Sequence, residues 1–388
     1  MKQGQLARRV SKIAPFQVMA VLDKAKQLQA NGYDVIHLEV GEPDFVAPSA
    51  VSEAGVQAIR QAQTGYTSAT GLPELKQAIS RYYHSRYKVS VAPERIIVTP
   101  GASGALLLMA SLMVNEGEEV IMPDPCYPCN RHFLLQAGGR AKLIETSPDN
   151  EFKIDLDGLA QYWSATTAGL WLASPANPTG AVLSRAYVEQ AWQAVKDLGG
   201  HLLVDEIYQG LVYDGDDFTA LSVDDNLFVI NSFSKYFAMT GWRLGWIVVP
   251  EWAIEGAIKL AQNLFICAPA MSQYAALHAF DEGVLTECEA RRERLNQRRL
   301  ALLKGLERIG LPVVTPAQGA FYVFVDVSSV TSDAMTWCLQ LLEQEYVALT
   351  PGADFGIANA HQYVRFAYTC EEERLVEAIA RIERFMQS

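Results

Sequence analysis

The sequence predicts an α/β fold: a mainly parallel, doubly wound sheet in a large domain, with a smaller α+β domain beside it. Short apolar runs rich in Val, Ile and Leu alternate with helical stretches through the first two thirds of the chain. Runs so short and so continuously apolar are strands buried on both faces, as in a parallel sheet covered by helices. The last third differs. It opens with a long, arginine-rich amphipathic helix and then mixes strands and helices in an α+β pattern.

In chain order, Phe16 to Ala30 is an N-terminal helix and Gly101 to Val114 a second helix, directly after a strand. Glu119 to Pro123, Ala141 to Glu145 and Gly169 to Ala173 read as short strands, and Ser184 to Leu198 as a helix. His201 to Glu206 and Leu227 to Ser232 are further apolar strands, each ending in polar residues. Thr286 to Gly310 is the long helix. Leu311 to Thr315, Tyr322 to Asp326, a helix from Ser332 to Gln344, Tyr363 to Tyr368 and a closing helix from Glu371 to Gln387 follow it. The large domain is expected at residues 45–275 and the small one at 1–44 with 276–388. At roughly 100–200 residues per domain, the length supports this division.

Composition narrows the function. Half the 388 residues are apolar and a fifth are charged, as in an ordinary globular protein. No apolar run reaches the roughly 18 residues of a membrane span, and no apolar stretch follows Arg8 and Arg9 as a signal peptide requires. A cytoplasmic protein without a membrane is expected. The net charge of −12 opposes binding to a polyanion, so nucleic acid is not an expected partner. Six cysteines scattered in apolar surroundings read as reduced thiols. Cys126-Tyr-Pro-Cys129 has the spacing of a redox pair, with His132 three residues on, yet no second ligand pair accompanies it. No metal is expected.

In parallel sheets, ligands bind beyond the carboxyl ends of the strands. Asp205 and Tyr208 follow one apolar strand, Ser232, Ser234 and Lys235 another, and Asn177 lies just past a third. Singly, each has an ordinary reading: Lys235 as a solvated cation, Asp205 as a helix cap, Asn177-Pro-Thr-Gly180 as a turn. Arg365, on an apolar strand, reads from pattern alone as an exposed edge-strand arginine. The ordered set is more specific than its members.

That set resembles the class I aminotransferases of the fold-type I pyridoxal-phosphate enzymes. The resemblance runs from about Ala14 to Arg365. It includes Gly41-Glu-Pro-Asp44, Tyr66 with Gly71-Leu-Pro-Glu-Leu75, Thr99-Pro-Gly-Ala-Ser-Gly-Ala-Leu106 and Asn177-Pro-Thr-Gly180. Asp205-Glu-Ile-Tyr208, Ser232-Phe-Ser-Lys235, Gly241-Trp-Arg-Leu-Gly245 and Arg365 complete it. It implies an enzyme that moves an amino group from an L-amino acid to a 2-oxo acid with pyridoxal 5'-phosphate as cofactor. Lys235 would hold the cofactor covalently and then shuttle a proton, and Asp205 would face the pyridine nitrogen and keep it protonated. Tyr208 and Asn177 would bond the ring's phenolic oxygen, and Tyr127 would stack on its face. Gly101, Ala102, Ser103, Ser232, Ser234 and Arg243 would hold the phosphate. Tyr66 would reach the phosphate of a neighbouring subunit, which implies a homodimer with shared active sites. Arg365, the Gly41 backbone and Asn177 would bind the substrate, Arg365 gripping its α-carboxylate with both nitrogens.

Two departures bear on the substrate. Bacterial aspartate-using relatives carry a lysine where Ser103 stands, and Ser-Ala-Thr where this chain has Phe16-Gln-Val18. An unpaired second carboxylate would be costly to bury in such a pocket, so a neutral, apolar or aromatic amino acid is expected. A rival reading on the same scaffold is C–S β-elimination. A cofactor-sensing module of a transcription regulator would carry a DNA-binding domain ahead of the fold, and only about fifteen residues precede the first helix here.

Overall fold

The computed structural model describes residues 6–387. In chain order its strands are β1 (Ile36–His37), β2 (Ile96–Thr99), β3 (Glu119–Asp124), β4 (Arg140–Glu145), β5 (Thr167–Ala173) and β6 (His201–Asp205). Then come β7 (Phe228–Ser232), β8 (Gly245–Val248), β9 (Tyr322–Asp326), β10 (Val347–Ala348), β11 (Thr350–Pro351) and β12 (Tyr363–Ala367). Seven form one sheet in the order β2-β8-β7-β6-β5-β3-β4. All neighbouring pairs from β7 to β4 are parallel, and β8 alone runs against both its neighbours. This is the α/β, fold-type I arrangement.

Alternation along the strands explains why the sheet is covered twice. Leu170, Leu172, Leu202 and Val204 point into one core, against Val188, Ala191 and Val195 of the helix Arg185–Asp197. Their neighbours Trp171 and Leu203 point into the other, against Ala105 and Leu108 of the helix Gly101–Met113 and Ala257 of the helix Ile254–Leu264. Period-two side-chain geometry thus divides one continuously apolar strand between two cores.

Elsewhere β9, β11 and β12 make a three-stranded antiparallel sheet with β12 in the middle, and β1 pairs with β10. The N-terminal helix Gln17–Ala30 packs Val21 and Ala25 against Val35, Leu342 and Ala348, joining the two ends of the chain. Among the described residues, no helix is long and apolar enough to cross a membrane.

Three differences from the sequence reading have physical causes. Leu311 to Thr315 forms no strand, only a bridge from Val313 to Val325, because Pro312 within the run and Pro316 just after it donate no hydrogen bonds. Gly245–Val248, unread as a strand, is the antiparallel member; its direction follows from the loop that turns back after Lys235. The helices Ser49–Arg60 and Pro73–Tyr87 were also unread. The second carries Pro73 and Glu74 in its first turn, both favourable there.

Candidate active site

Strands β5, β6 and β7 end at Ala173, Asp205 and Ser232, side by side on the carboxyl edge of the sheet. A cavity of about 330 Å³ opens there. Lys235 follows β7 by a tight Ser-Phe-Ser link, and its Nζ donates to the Gly41 carbonyl at 2.6 Å. The amine also lies 5.7 Å from the centre of the Tyr208 ring and 5.5 Å from that of Phe321. Burial lowers its pKa to about 8; Glu42 opposes the shift, and Arg365 and Arg243 add to it.

Asp205 is 4 % exposed and accepts a hydrogen bond from the Ile207 N–H at 3.1 Å. It has no ion-pair partner among the described residues, and burial raises its pKa to about 7. A buried acid in that condition is favoured as an anion only beside a positive partner. The next residue, Glu206, turns to the Thr219 hydroxyl and the Ala220 N–H, and its role is structural.

The Tyr208 hydroxyl is 2.8 Å from that of Tyr322. Tyr322 also crowds the backbone opposite: a Cβ on Gly41 would lie 2.1 Å from its hydroxyl oxygen, so any larger residue there would have to displace that buried ring. Arg365 corrects the reading from pattern alone. It sits on the middle strand β12, 5 % exposed, with its guanidinium 4.2 Å from the Tyr322 ring centre and 4.8 Å from that of Phe355. Its Nη1 donates to Asn177 Oδ1 at 2.9 Å, and its Nη2 to the Glu39 carbonyl at 2.6 Å.

A second cluster suits an anion. Gly101 opens the helix Gly101–Met113 at φ +72, and a Cβ there would lie 2.5 Å from Arg243 Nη2. The Ser234 N–H donates to Ser232 Oγ at 3.1 Å, and Ser232 Oγ donates to the Leu244 carbonyl at 3.0 Å. A helix N-terminus, hydroxyls and a guanidinium make a favourable phosphate cradle.

The cavity wall gathers Gly41, Ala102, Ser103, Tyr127, Asn177 and Asp205 with Tyr208, Ser234, Lys235, Arg243 and Arg365. Three singled-out residues are not on it. Gly101 lies beneath Arg243, Ser232 supports Ser234 from behind, and Tyr66 stands 85 % exposed on the surface. Sequence reasoning missed Tyr322, Phe355, Thr240 and Asp354, which also line the cavity. Tyr322 begins an apolar strand and resembles any core aromatic; no local signal marks it.

A family model described as aminotransferase class I and II matches residues 33–382. The chain belongs to that family. The aminotransferase is 36% identical to the (5-formylfuran-3-yl)methyl phosphate transaminase of Methanocaldococcus jannaschii, over 98% of this chain and 99% of the relative. It is 37% identical to a valine–pyruvate aminotransferase of Mycobacterium tuberculosis, over 97% of each chain. A crystal structure of an aminotransferase from Mycobacterium tuberculosis superposes with a TM-score of 0.96 at 36% identity, covering 99% of this chain and 100% of that one. As an aminotransferase, the enzyme acts on amino acids and 2-oxo acids.

Proposed function

We propose that this aminotransferase holds pyridoxal 5'-phosphate on Lys235 and takes neutral, apolar or aromatic L-amino acids as donors, with pyruvate as an acceptor. The observation that carries the reading is one cavity that joins a buried amine, a buried acid, an anion cradle and a buried arginine to an apolar wall of Phe16, Val18, Met19 and Leu22.

The residues fit the cofactor. Lys235 presents an amine made less basic by burial, Asp205 a carboxyl without a cation, and Gly101 a surface that any side chain would block. When bound, pyridoxal phosphate supplies an electron sink for charge left on the donor's α-carbon. Asp205 would hold the pyridinium N–H, and Tyr208 and Asn177 would donate to the ring oxygen. Ser103, Ser234, Arg243 and the N–H groups at Gly101 and Ala102 hold the phosphate, with Ser232 orienting Ser234. Tyr127 covers the ring face. Arg365 would bind the substrate α-carboxylate, and Lys235 Nζ would accept the α-proton, becoming an ammonium that gives the proton back on the cofactor's side. That transfer needs a neutral amine near neutral pH.

The cavity's cations among the described residues are Lys235, Arg243 and Arg365, each already assigned. None is left for a second carboxylate. The similarity to the valine–pyruvate aminotransferase supports the same donor and acceptor class. The exposed phenol of Tyr66 supports a homodimer with shared sites. The division into domains 45–275 and 1–44 with 276–388 accompanies this proposal, and six free thiols support a reducing, cytoplasmic setting.

A panel of L-amino acids against pyruvate and 2-oxoglutarate tests the reading. Neutral donors should exceed aspartate in kcat/KM, and Ser103→Lys should move that ratio toward aspartate. A wild-type preference for aspartate of about tenfold or more would sink the substrate assignment. Pyruvate released from a donor with no acceptor present would signal elimination instead.

The phosphate cradle gives a second expectation. Arg243→Ala should raise the Kd for pyridoxal phosphate by about 10- to 100-fold, the loss of a charge-assisted hydrogen bond. Tyr66→Phe should raise it less. Titration of the apoprotein, followed by absorbance, measures both, and an unchanged Kd in Arg243→Ala would refute the cradle.

A further inference from the structure

The wall that faces the donor's side chain begins at the N-terminal helix, and that helix lacks a cap of its own. The residue before it, Phe16, has no side-chain acceptor for the first N–H groups. Asp354 meets them from the far end of the chain. Its Oδ1 accepts from the Gln17 N–H at 2.7 Å and its Oδ2 from the Val18 N–H at 2.8 Å. Both carboxylate oxygens are used, and a negative charge at a helix N-terminus is favourable in itself.

Asp354 stands between the two halves of the substrate site. It is 6 % exposed and lines the cavity, and its carbonyl accepts from Arg131 Nη2 at 3.2 Å. The next residue, Phe355, packs against the Arg365 guanidinium. One dipeptide therefore touches the arginine assigned to the α-carboxylate and the helix turn bearing Phe16, Val18 and Met19. That turn has no fully buried side chain: Phe16, Gln17 and Val18 are half-buried, Met19 is 48% exposed, and the helix's buried contacts, Val21 and Ala25, begin further on.

We infer that Asp354 is the positioning residue for donor choice: it ties the first helical turn to the carboxylate site and so fixes the span between Arg365 and the apolar wall. A long apolar side chain reaches that wall and a methyl group does not. Asp354 thus discriminates among donors without touching the reacting atoms. The inference rests on the proposed reading of this wall as the side-chain pocket.

The test uses the cofactor-loaded, full-length enzyme with Asp354→Ala and Asp354→Asn. Half-reactions with alanine, valine, leucine and phenylalanine are followed by cofactor absorbance, and backbone hydrogen exchange is measured over residues 16–30. Asp354→Ala should weaken apparent binding of leucine or phenylalanine about tenfold or more, lower the limiting rate little, and leave alanine within about threefold of wild type. Asp354→Asn retains one acceptor oxygen and should fall between. Exchange in the first turn should quicken by about tenfold in the Ala variant. Equal losses for every donor, or unchanged exchange, would overturn the inference, because a general structural role predicts the first and an idle contact the second. If Asp354→Ala fails to fold, the Asn variant decides on the same criteria. A wild-type enzyme that prefers aspartate to all four neutral donors by about tenfold overturns the substrate reading and this inference together, and one that favours alanine over leucine and phenylalanine overturns the inference alone. A wild type that prefers leucine or phenylalanine to alanine, with variants that keep that preference, also overturns the inference alone.

Discussion

Lys235→Ala should abolish covalent attachment of pyridoxal phosphate and lower turnover by about 10⁴-fold, the upper range for removing a positioned acid–base group. The wild-type enzyme should absorb at about 420 nm from the bound cofactor. Borohydride should fix the label to the peptide containing Lys235, and a label on any other lysine defeats the assignment. Burial, with Arg365 and Arg243 nearby, lowers the amine's pKa to about 8. Below that pH the amine is protonated and cannot attack an aldehyde. The rate at which apoprotein captures pyridoxal phosphate should therefore rise with pH, about tenfold per unit, and level off above about 8. A plateau reached only near the ordinary lysine value of about 10.4 would show that burial does not depress this group.

Arg365→Lys should lower kcat/KM by about 100-fold for every donor alike, because the α-carboxylate is common to all of them. That figure corresponds to about 3 kcal/mol, one or two charged hydrogen bonds lost when a planar fork becomes a point charge. The loss should fall mainly on apparent binding. Arg365→Ala should do more damage, since Asn177 Oδ1 and the Glu39 carbonyl would lose the donors they now have at 2.9 and 2.6 Å. Losses confined to one class of donor would move Arg365 from the shared carboxylate to the side-chain pocket. This result separates Arg365 from Asp354, whose substitution should discriminate between donors.

Much of the site was legible because its chemistry demands particular residue types at particular places on the chain. Strands β3 to β7 show themselves as short apolar runs; β6 closes on Asp205 and β7 on Asn231 and Ser232, with Ser234 and Lys235 just beyond. A parallel sheet brings strand ends to one edge, so order along the chain becomes proximity in space. Helix periods and strand alternation are local, and a local pattern survives in one dimension. The direction of β8 and the irregular segment after Pro312 are already beyond that pattern, since partners and prolines outside the run decide them.

By itself, the sequence determined the fold class and the family, and it nominated Lys235, Asp205 and Arg365 as the amine, the acid and the arginine of the proposed site. Tertiary structure alone decided that Arg365 is a buried residue on a middle strand, that Tyr322 lies against its guanidinium, and that Asp354 caps a helix that starts 337 residues earlier in the chain. The reason is physical. Burial and hydrogen bonding depend on which surfaces meet after the chain closes on itself, and an arginine, a tyrosine or an aspartate has the same local propensity whether its partner lies in the next turn or at the other end of the molecule.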